Sequence, residues 1–247
     1  MKLIIGMSGA SGAIYGIRLL EVLKDVADVE THLVMSDSAK LNIAVETDFS
    51  AKEVEALADH VHSNKYIGAS IASGSYRTDG MVIAPCAIKT LSAIANSYAD
   101  SLIVRAADVI LKERRRLVLI PRETPLHTGH CELLLKASQL GAVIAPPMPA
   151  HYIKPQTIDD LVNHHVGRVL DLFDIDPGLD HLGQTGQFIQ IEGGPDAEAA
   201  GVKAALAHHD DVALLRLHGI AELCDNSDGR SAMIRGRGVQ CRTLGHS

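Results

Sequence analysis

Short aliphatic runs recur at residues 3–7, 30–35, 80–84, 116–121 and 142–145, with longer segments of helical period between most of them. A strand free of alternating polar positions is buried on both faces, and strand–helix alternation builds a parallel sheet covered by helices on each side. The helical segments are expected at 11–25, 51–60, 87–95, 101–114, 125–140 and 157–173. This pattern predicts an α/β protein with a Rossmann-like (flavodoxin-like) three-layer architecture, a parallel sheet flanked by helices. Beyond about residue 175 the periodicity breaks. "DPGLDHLGQTGQ" is a breaker-rich linker, the next stretch offers one or two helices, and the last 24 residues are rich in turn formers. The expected division is a ligand-binding domain at 1–178 and a C-terminal extension of fragmentary structure at 179–247.

Open parallel sheets bind ligands beyond the carboxyl ends of their strands. The Gly-, Ser- and Pro-rich segments 6–13, 36–39, 85–90, 121–127 and 146–151 all fall there. The first reads "GMSGASGAIYG", with glycines spaced G-x-x-G-x-x-G. A dinucleotide fingerprint needs G-x-G-x-x-G and an acid near the end of the second strand; Ser36 stands at that place, with Asp37 beside it. The loop therefore reads either as a mononucleotide site, with phosphate on amides at a helix start, or as a tight turn that lets the first helix pack closely.

Other candidates lie farther along. Arg105, Asp108 and Lys112 share one helical face. Arg122-Glu123 follows an aliphatic strand directly, placing a cation able to bind phosphate bidentately beside a carboxylate able to move a proton. Pro146-Pro147-Met148-Pro149 forms a stiff lip before Tyr152, and Tyr152 with Arg168 would make an anion clamp. Cys86 at a strand end invites a nucleophile reading, but no nearby base is evident and a buried small hydrophobe accounts for it equally.

Composition removes whole classes. A formal charge of −7 argues against general nucleic-acid binding, which needs a basic surface. No apolar run approaches the ~18–20 residues that span a bilayer, and the start has no secretory-signal pattern. The four cysteines, Cys86, Cys131, Cys224 and Cys241, include no C-x-x-C pair, so neither zinc nor a redox dithiol is indicated and a cytoplasmic location is expected.

Five segments in order, "GMSGASGAIYGIRLL", "LVMSDSAKLNIAVET", "ASGSYRTDGMVIAPC", "ADSLIVRAADVILKERRRLVLIPRETPLH" and "PPMPAHYIKPQTIDDLV", cover about residues 1–175. Together they resemble the UbiX family of flavin prenyltransferases. That resemblance implies transfer of a dimethylallyl group from dimethylallyl phosphate to N5 and C6 of reduced FMN, with the product passed to a UbiD-type decarboxylase. It implies a homo-oligomer, often a dodecamer, and no metal; the acidic stretches here indeed lack a D-D-x-x-D form.

Carried over by position, FMN would be held by Gly9, Ala10, Ser11, Ser36, Ala87, Ile88, Lys89, Thr90 and Arg122. Lys112, Tyr152 and Arg168 would hold dimethylallyl phosphate, with Ser73 and Arg105 near the same pocket across a subunit boundary. Glu123 would be the acid or base, with Glu46 nearby and Ser11 as relay. Ala87 replaces the serine usual after Pro-Cys, Asp37 stands where a lysine or a large residue is common, and "HTGHCELL" departs from the family's usual segment.

Two other readings share the fold. One is a flavin-binding accessory subunit of an aromatic (phenolic) acid decarboxylase. The other is an oxidative cysteine-type decarboxylase, which needs a P-x-M-N clamp and an early catalytic histidine; Pro147-Met148-Pro149 lacks the Asn, and residues 33–59 contain no His.

Overall fold

The computed structural model describes residues 1–176 and, farther on, the backbone of four short strands. The chain divides into two compact units, Met1–Gly183 and Gln184–Ser247.

In the first unit the elements run β1 (Lys2–Met7), α1 (Ala13–Lys24), β2 (Glu30–Met35), α2 (Asp37–Glu46), α3 (Ala51–Glu55), β3 (His60–Ser63), β4 (Gly80–Cys86), α4 (Ile88–Ala95), α5 (Leu102–Lys112), β5 (Arg116–Pro121), α6 (Thr128–Gln139), β6 (Ala142–Ile144) and α7 (Ile158–Asp171). Short 3-10 turns lie at Ser70–Ala72 and His151–Ile153. The six strands form one sheet in the order β3-β2-β1-β4-β5-β6, and every pairing is parallel. The order reverses between β1 and β4, which is where an open sheet of this winding leaves a crevice at its carboxyl edge.

Helices cover both faces. On one, Ile17 and Leu20 of α1 and Val162 and Val166 of α7 pack on Ile5, Leu33 and Val82. On the other, Leu91 of α4, Ile103 and Ile110 of α5 and Ala137 of α6 pack on Ile4, Val34 and Ile83. These side chains are at most 3% exposed, so two-sided burial is the reason the strands read as unbroken aliphatic runs.

The first helix begins at Ala13, two residues later than its pattern predicts, because Gly12 has φ 101° and sits outside helical space. A β-carbon at Gly16 would stand 2.3 Å from the Ala84 carbonyl oxygen, so α1 rides directly on β4. Two larger differences concern one stretch. The helix expected at 51–60 stops at Glu55, and His60–Ser63 is instead the edge strand β3. Its sequence, H-V-H-S, is half exposed and has no aliphatic run, so nothing in its pattern marks a strand. Residues 37–46, where no helix is expected, form α2, which buries only Ala39 and Ile43 and so shows no apolar stripe.

In the second unit, Ala204–Ala207 pairs antiparallel with Leu214–Leu217, and Glu222–Asp225 with Ala232–Arg235. The first pair replaces the helices expected there, since four-residue apolar runs do not distinguish helix from strand by period. The linker expected at 176–187 lies almost wholly outside the described residues.

Candidate functional site at the carboxyl edge of the sheet

Strands β2, β1, β4 and β5 end side by side, and hydrogen bonds tie the loops that follow them. The Ser36 N–H donates to the Met7 carbonyl at 3.0 Å, the Ser8 N–H to Pro85 at 3.1 Å and the Arg122 N–H to Cys86 at 3.3 Å. Ser8, 2% exposed, is the centre of this stitching. Its hydroxyl donates to the Pro85 carbonyl at 3.0 Å and accepts from the Ala87 N–H at 2.7 Å. Ser8 thus fixes the start of α4 against the end of β1, at the reversal in strand order. Nothing in the glycine spacing of the loop marks this role.

These bonds bring together Gly9, Ala10, Ser11, Ser36, Ala87, Ile88, Lys89, Thr90, Arg122 and Glu123, all on loops or helix starts after those four strands. Gly9 and Ser11 are exposed at the rim, whereas Ala10 is buried and its carbonyl accepts from Asn42 Nδ2 at 2.8 Å. The Ser36 hydroxyl accepts from the Ala39 N–H at 3.0 Å and caps α2. Glu123 is exposed, and its Oε1 accepts from the Thr124 N–H at 3.0 Å. Arg122 is exposed and its guanidinium has no partner among the described residues.

Helix starts decide where an anion can sit. The first amides of any helix have no intrahelical acceptor and carry the positive end of the macrodipole. At α1 these are taken: the Glu46 carboxylate accepts from the Gly12 N–H at 2.8 Å and the Ala13 N–H at 3.0 Å. The phosphate position that the glycine loop suggested at the start of α1 is therefore filled by a carboxylate of the same chain, next to Ser11. Ser36, Ser50, His127 and Thr157 cap α2, α3, α6 and α7, and Asn64 receives the first amides of α5. Only α4, among the described helices, starts without a side-chain cap or another acceptor. Its open amides belong to Ile88, Lys89 and Thr90, at the crevice.

Cys86, beside that start, is fully buried, and burial pushes its thiol up to about 12. A thiol so held is not a nucleophile at neutral pH.

The remaining candidates lie elsewhere in the chain. Arg105 donates from Nε to the Ala72 carbonyl at 3.2 Å and pairs with Asp108 at 2.7 Å. Ser73 and Ser75 share a hydroxyl hydrogen bond of 2.8 Å. Lys112 pairs with Glu113, and its Nζ is 2.6 Å from where a Gly74 β-carbon would stand. The structure thus gathers Ser73, Arg105 and Lys112 along α5. Lys112 ends that helix ahead of β5, whereas Arg122-Glu123 follows the strand, so the two groups are separated by its length. Tyr152 and Arg168 are joined through α7: the Tyr152 hydroxyl is 3.0 Å from His164 Nε2, and Arg168 pairs with Asp171 at 2.7 Å. Burial, then the Arg168 charge, lowers the pKa of His164, so the imidazole beside Tyr152 is neutral at pH 7. His164 carries no signal in the sequence, because its partner lies on a separate element, the turn His151–Ile153.

An open parallel sheet with its crevice at the β1/β4 reversal, one bare helix start and an adjacent Arg–Glu pair defines a mononucleotide-binding α/β protein. The flavoprotein family model matches residues 1–170. Flavin prenyltransferase UbiX of Salmonella typhimurium is 64% identical over 174 residues, covering 70% of this chain and 92% of the relative. UbiX of Escherichia coli K12 is 62% identical over the same span and shares. The chain belongs to the flavoprotein family, within its UbiX flavin prenyltransferase branch.

Among solved structures, a dodecameric FMN-dependent UbiX-like decarboxylase from Escherichia coli O157:H7 superposes with a TM-score of 0.70 at 55% identity, over 71% of this chain and 95% of that one. AnUbiX (PadA1), solved with FMN and dimethylallyl pyrophosphate, gives a TM-score of 0.70 at 51% identity, over 72% and 94%. No described helix is long and apolar enough to cross a membrane.

Proposed function

We infer that this chain transfers a dimethylallyl group from dimethylallyl phosphate to N5 and C6 of reduced FMN. The prenylated flavin then passes to a UbiD-type decarboxylase of the cytoplasm. The observation that carries this reading is the bare start of α4 beside Arg122-Glu123 at the sheet's crevice, in a chain 64% identical to a flavin prenyltransferase.

The residues present fit the flavin. Open amides at Ile88, Lys89 and Thr90 are donors suited to a phosphate, and the unpaired Arg122 guanidinium adds a bidentate donor. Gly9, Ala10, Ser11, Ser36 and Ala87 complete the flavin-binding set. When bound and reduced, FMN supplies the nucleophilic nitrogen and carbon that accept the prenyl group. Lys112, Tyr152 and Arg168 hold the phosphate of the prenyl donor, with Ser73 and Arg105 beside them. Preorganised cations and hydroxyls of this kind stabilise charge gathering on a departing phosphate without reorganising. Glu123 accepts or delivers a proton during that departure and ring closure. Glu46, by gripping the amides next to Ser11, aims the Ser11 hydroxyl as a relay. The two phosphate-binding groups stand at different places in one subunit, which supports sites shared between subunits of a dodecamer.

Substitution of Glu123→Gln tests the assignment. The expected result is FMN binding retained with prenylation lost. Prenylation at the parent rate would remove Glu123 from the chemistry. Undiminished activation of a partner decarboxylase by this variant would mark the chain as a flavin carrier.

A further inference from the structure

The opposite edge of the sheet carries a cluster that the flavin chemistry does not use. Side chains alternate along a strand, so Glu30 and His32 share one face of β2. His32 pairs in register with His60 of β3, and His62 follows on that same face. The His60 and His62 rings lie 4.7 and 5.3 Å from the His32 ring, nearly parallel to it at 22° and 17°.

Three ligand atoms converge there. Glu30 Oε1 is 3.0 Å from His60 Nε2 and 3.2 Å from His32 Nε2, and one ligand atom from each of the three residues lies within 4.8 Å of the others. Nitrogen and oxygen ligands held about 2.0–2.1 Å from a tetrahedral ion stand roughly 3.3 Å apart, so the two glutamate–histidine separations match edges of such a site. His32 Nδ1 lies 3.0 Å from His62 Nε2, the arrangement in which a second residue fixes which ring nitrogen is free to ligate. His32 is 2% exposed, so its ring is held in place between the two strands. Glu30 and His60 line an open cavity of about 420 Å³, which leaves one side of the cluster to solvent. Lys2 Nζ stands 3.1 Å from both Glu30 oxygens and 3.0 Å from the Tyr76 hydroxyl, a cation of the chain itself at the same carboxylate.

We propose that Glu30, His32 and His60 form an open site for a borderline divalent metal such as zinc, with His62 as a positioning residue and Lys2 as an internal competitor. Two imidazoles and one carboxylate suit zinc, nickel or copper rather than the all-oxygen preference of magnesium or calcium. A water completes the coordination from the cavity side.

The test titrates Zn²⁺ into the full, untagged, chelator-treated chain by calorimetry. One saturable ion per chain is expected. His60→Asn, at an exposed position, should weaken binding at least tenfold, and His62→Ala should weaken it about 10–100-fold by freeing the His32 ring. Lys2→Gln should tighten it, whereas His127→Asn, in a histidine pair elsewhere, should leave it unchanged. Circular dichroism melting establishes that each variant is folded. As a second measurement, Co²⁺ should give visible d–d bands that His60→Asn abolishes. No saturable binding by the parent chain, or parent affinity in His60→Asn, would overturn the proposal.

Discussion

Lys112 and Glu123 stand at opposite ends of β5: the lysine closes α5 ahead of the strand, and the glutamate follows its last residue, Pro121. The strand's six residues hold the two ends roughly 17 Å apart at about 3.3 Å per residue. In the proposed function Lys112 holds the phosphate of the prenyl donor and Glu123 moves the proton, and two groups so placed serve one reaction when each comes from a different subunit. Lys112→Ala and Glu123→Gln, each inactive alone, should therefore complement one another when co-assembled. An equal mixture restores about one quarter of parent activity, the share of sites receiving both native residues. Prenylation assays on co-expressed and on separately purified variants read this directly, and no recovery on co-assembly would place both groups in one subunit.

The Ser8 hydroxyl joins β1 to the start of α4 from a buried position. Ser8→Ala leaves the Pro85 carbonyl with one fewer donor and the Ala87 amide without its acceptor, at a cost of about 1–3 kcal/mol. Urea unfolding of the full chain should shift by that amount. Because the same bond sets the bare helix start, FMN affinity should fall as well, measured by flavin fluorescence titration. Loss of stability with unchanged FMN affinity would separate α4 from the flavin.

Cys86 and Cys131 are both free thiols, one buried and one exposed. Iodoacetamide at about pH 8 should label Cys131 and spare Cys86, whose thiol stays protonated far above that pH. Peptide mapping distinguishes them. Cys86→Ala should keep the parent's turnover, and its loss would restore the nucleophile reading that burial removes.

His165 packs edge-to-face on Tyr15 with ring centroids 5.3 Å apart, and its buried Nε2 has no hydrogen-bond partner among the described residues. Burial first, and then the charge of His164, pushes its pKa down to about 4. The unfolded histidine titrates near 6.5, so between these values the unfolded chain binds the extra proton. Stability from this group is complete above about pH 6.5, falls by at most about 1.4 kcal/mol per unit as the pH drops, and levels off below about 4. His165→Gln should flatten that part of the urea-midpoint profile. A profile unchanged by the substitution would assign the slope to other groups.

What the sequence discloses follows from how each element is buried. β2 and β5 occupy the residues their aliphatic runs mark, since both are central strands packed on two faces. β3 and α2 leave no such trace, one being a half-exposed edge strand and the other burying two side chains. The carboxyl-edge loops were legible because strand ends locate them. The capping of α1 by Glu46 and the Tyr152–His164 bond were not, for each joins residues on separate elements. Ser11 illustrates the difference: its loop is evident from glycine spacing, but its neighbourhood depends on where Glu46 reaches.

Prenyl transfer itself is tested by the mass of the flavin. The full chain, incubated anaerobically with reduced FMN and dimethylallyl phosphate, should release a flavin heavier by one prenyl unit, and phosphate should appear in equal amount. Flavin recovered at its original mass, with the prenyl donor intact, would contradict the account.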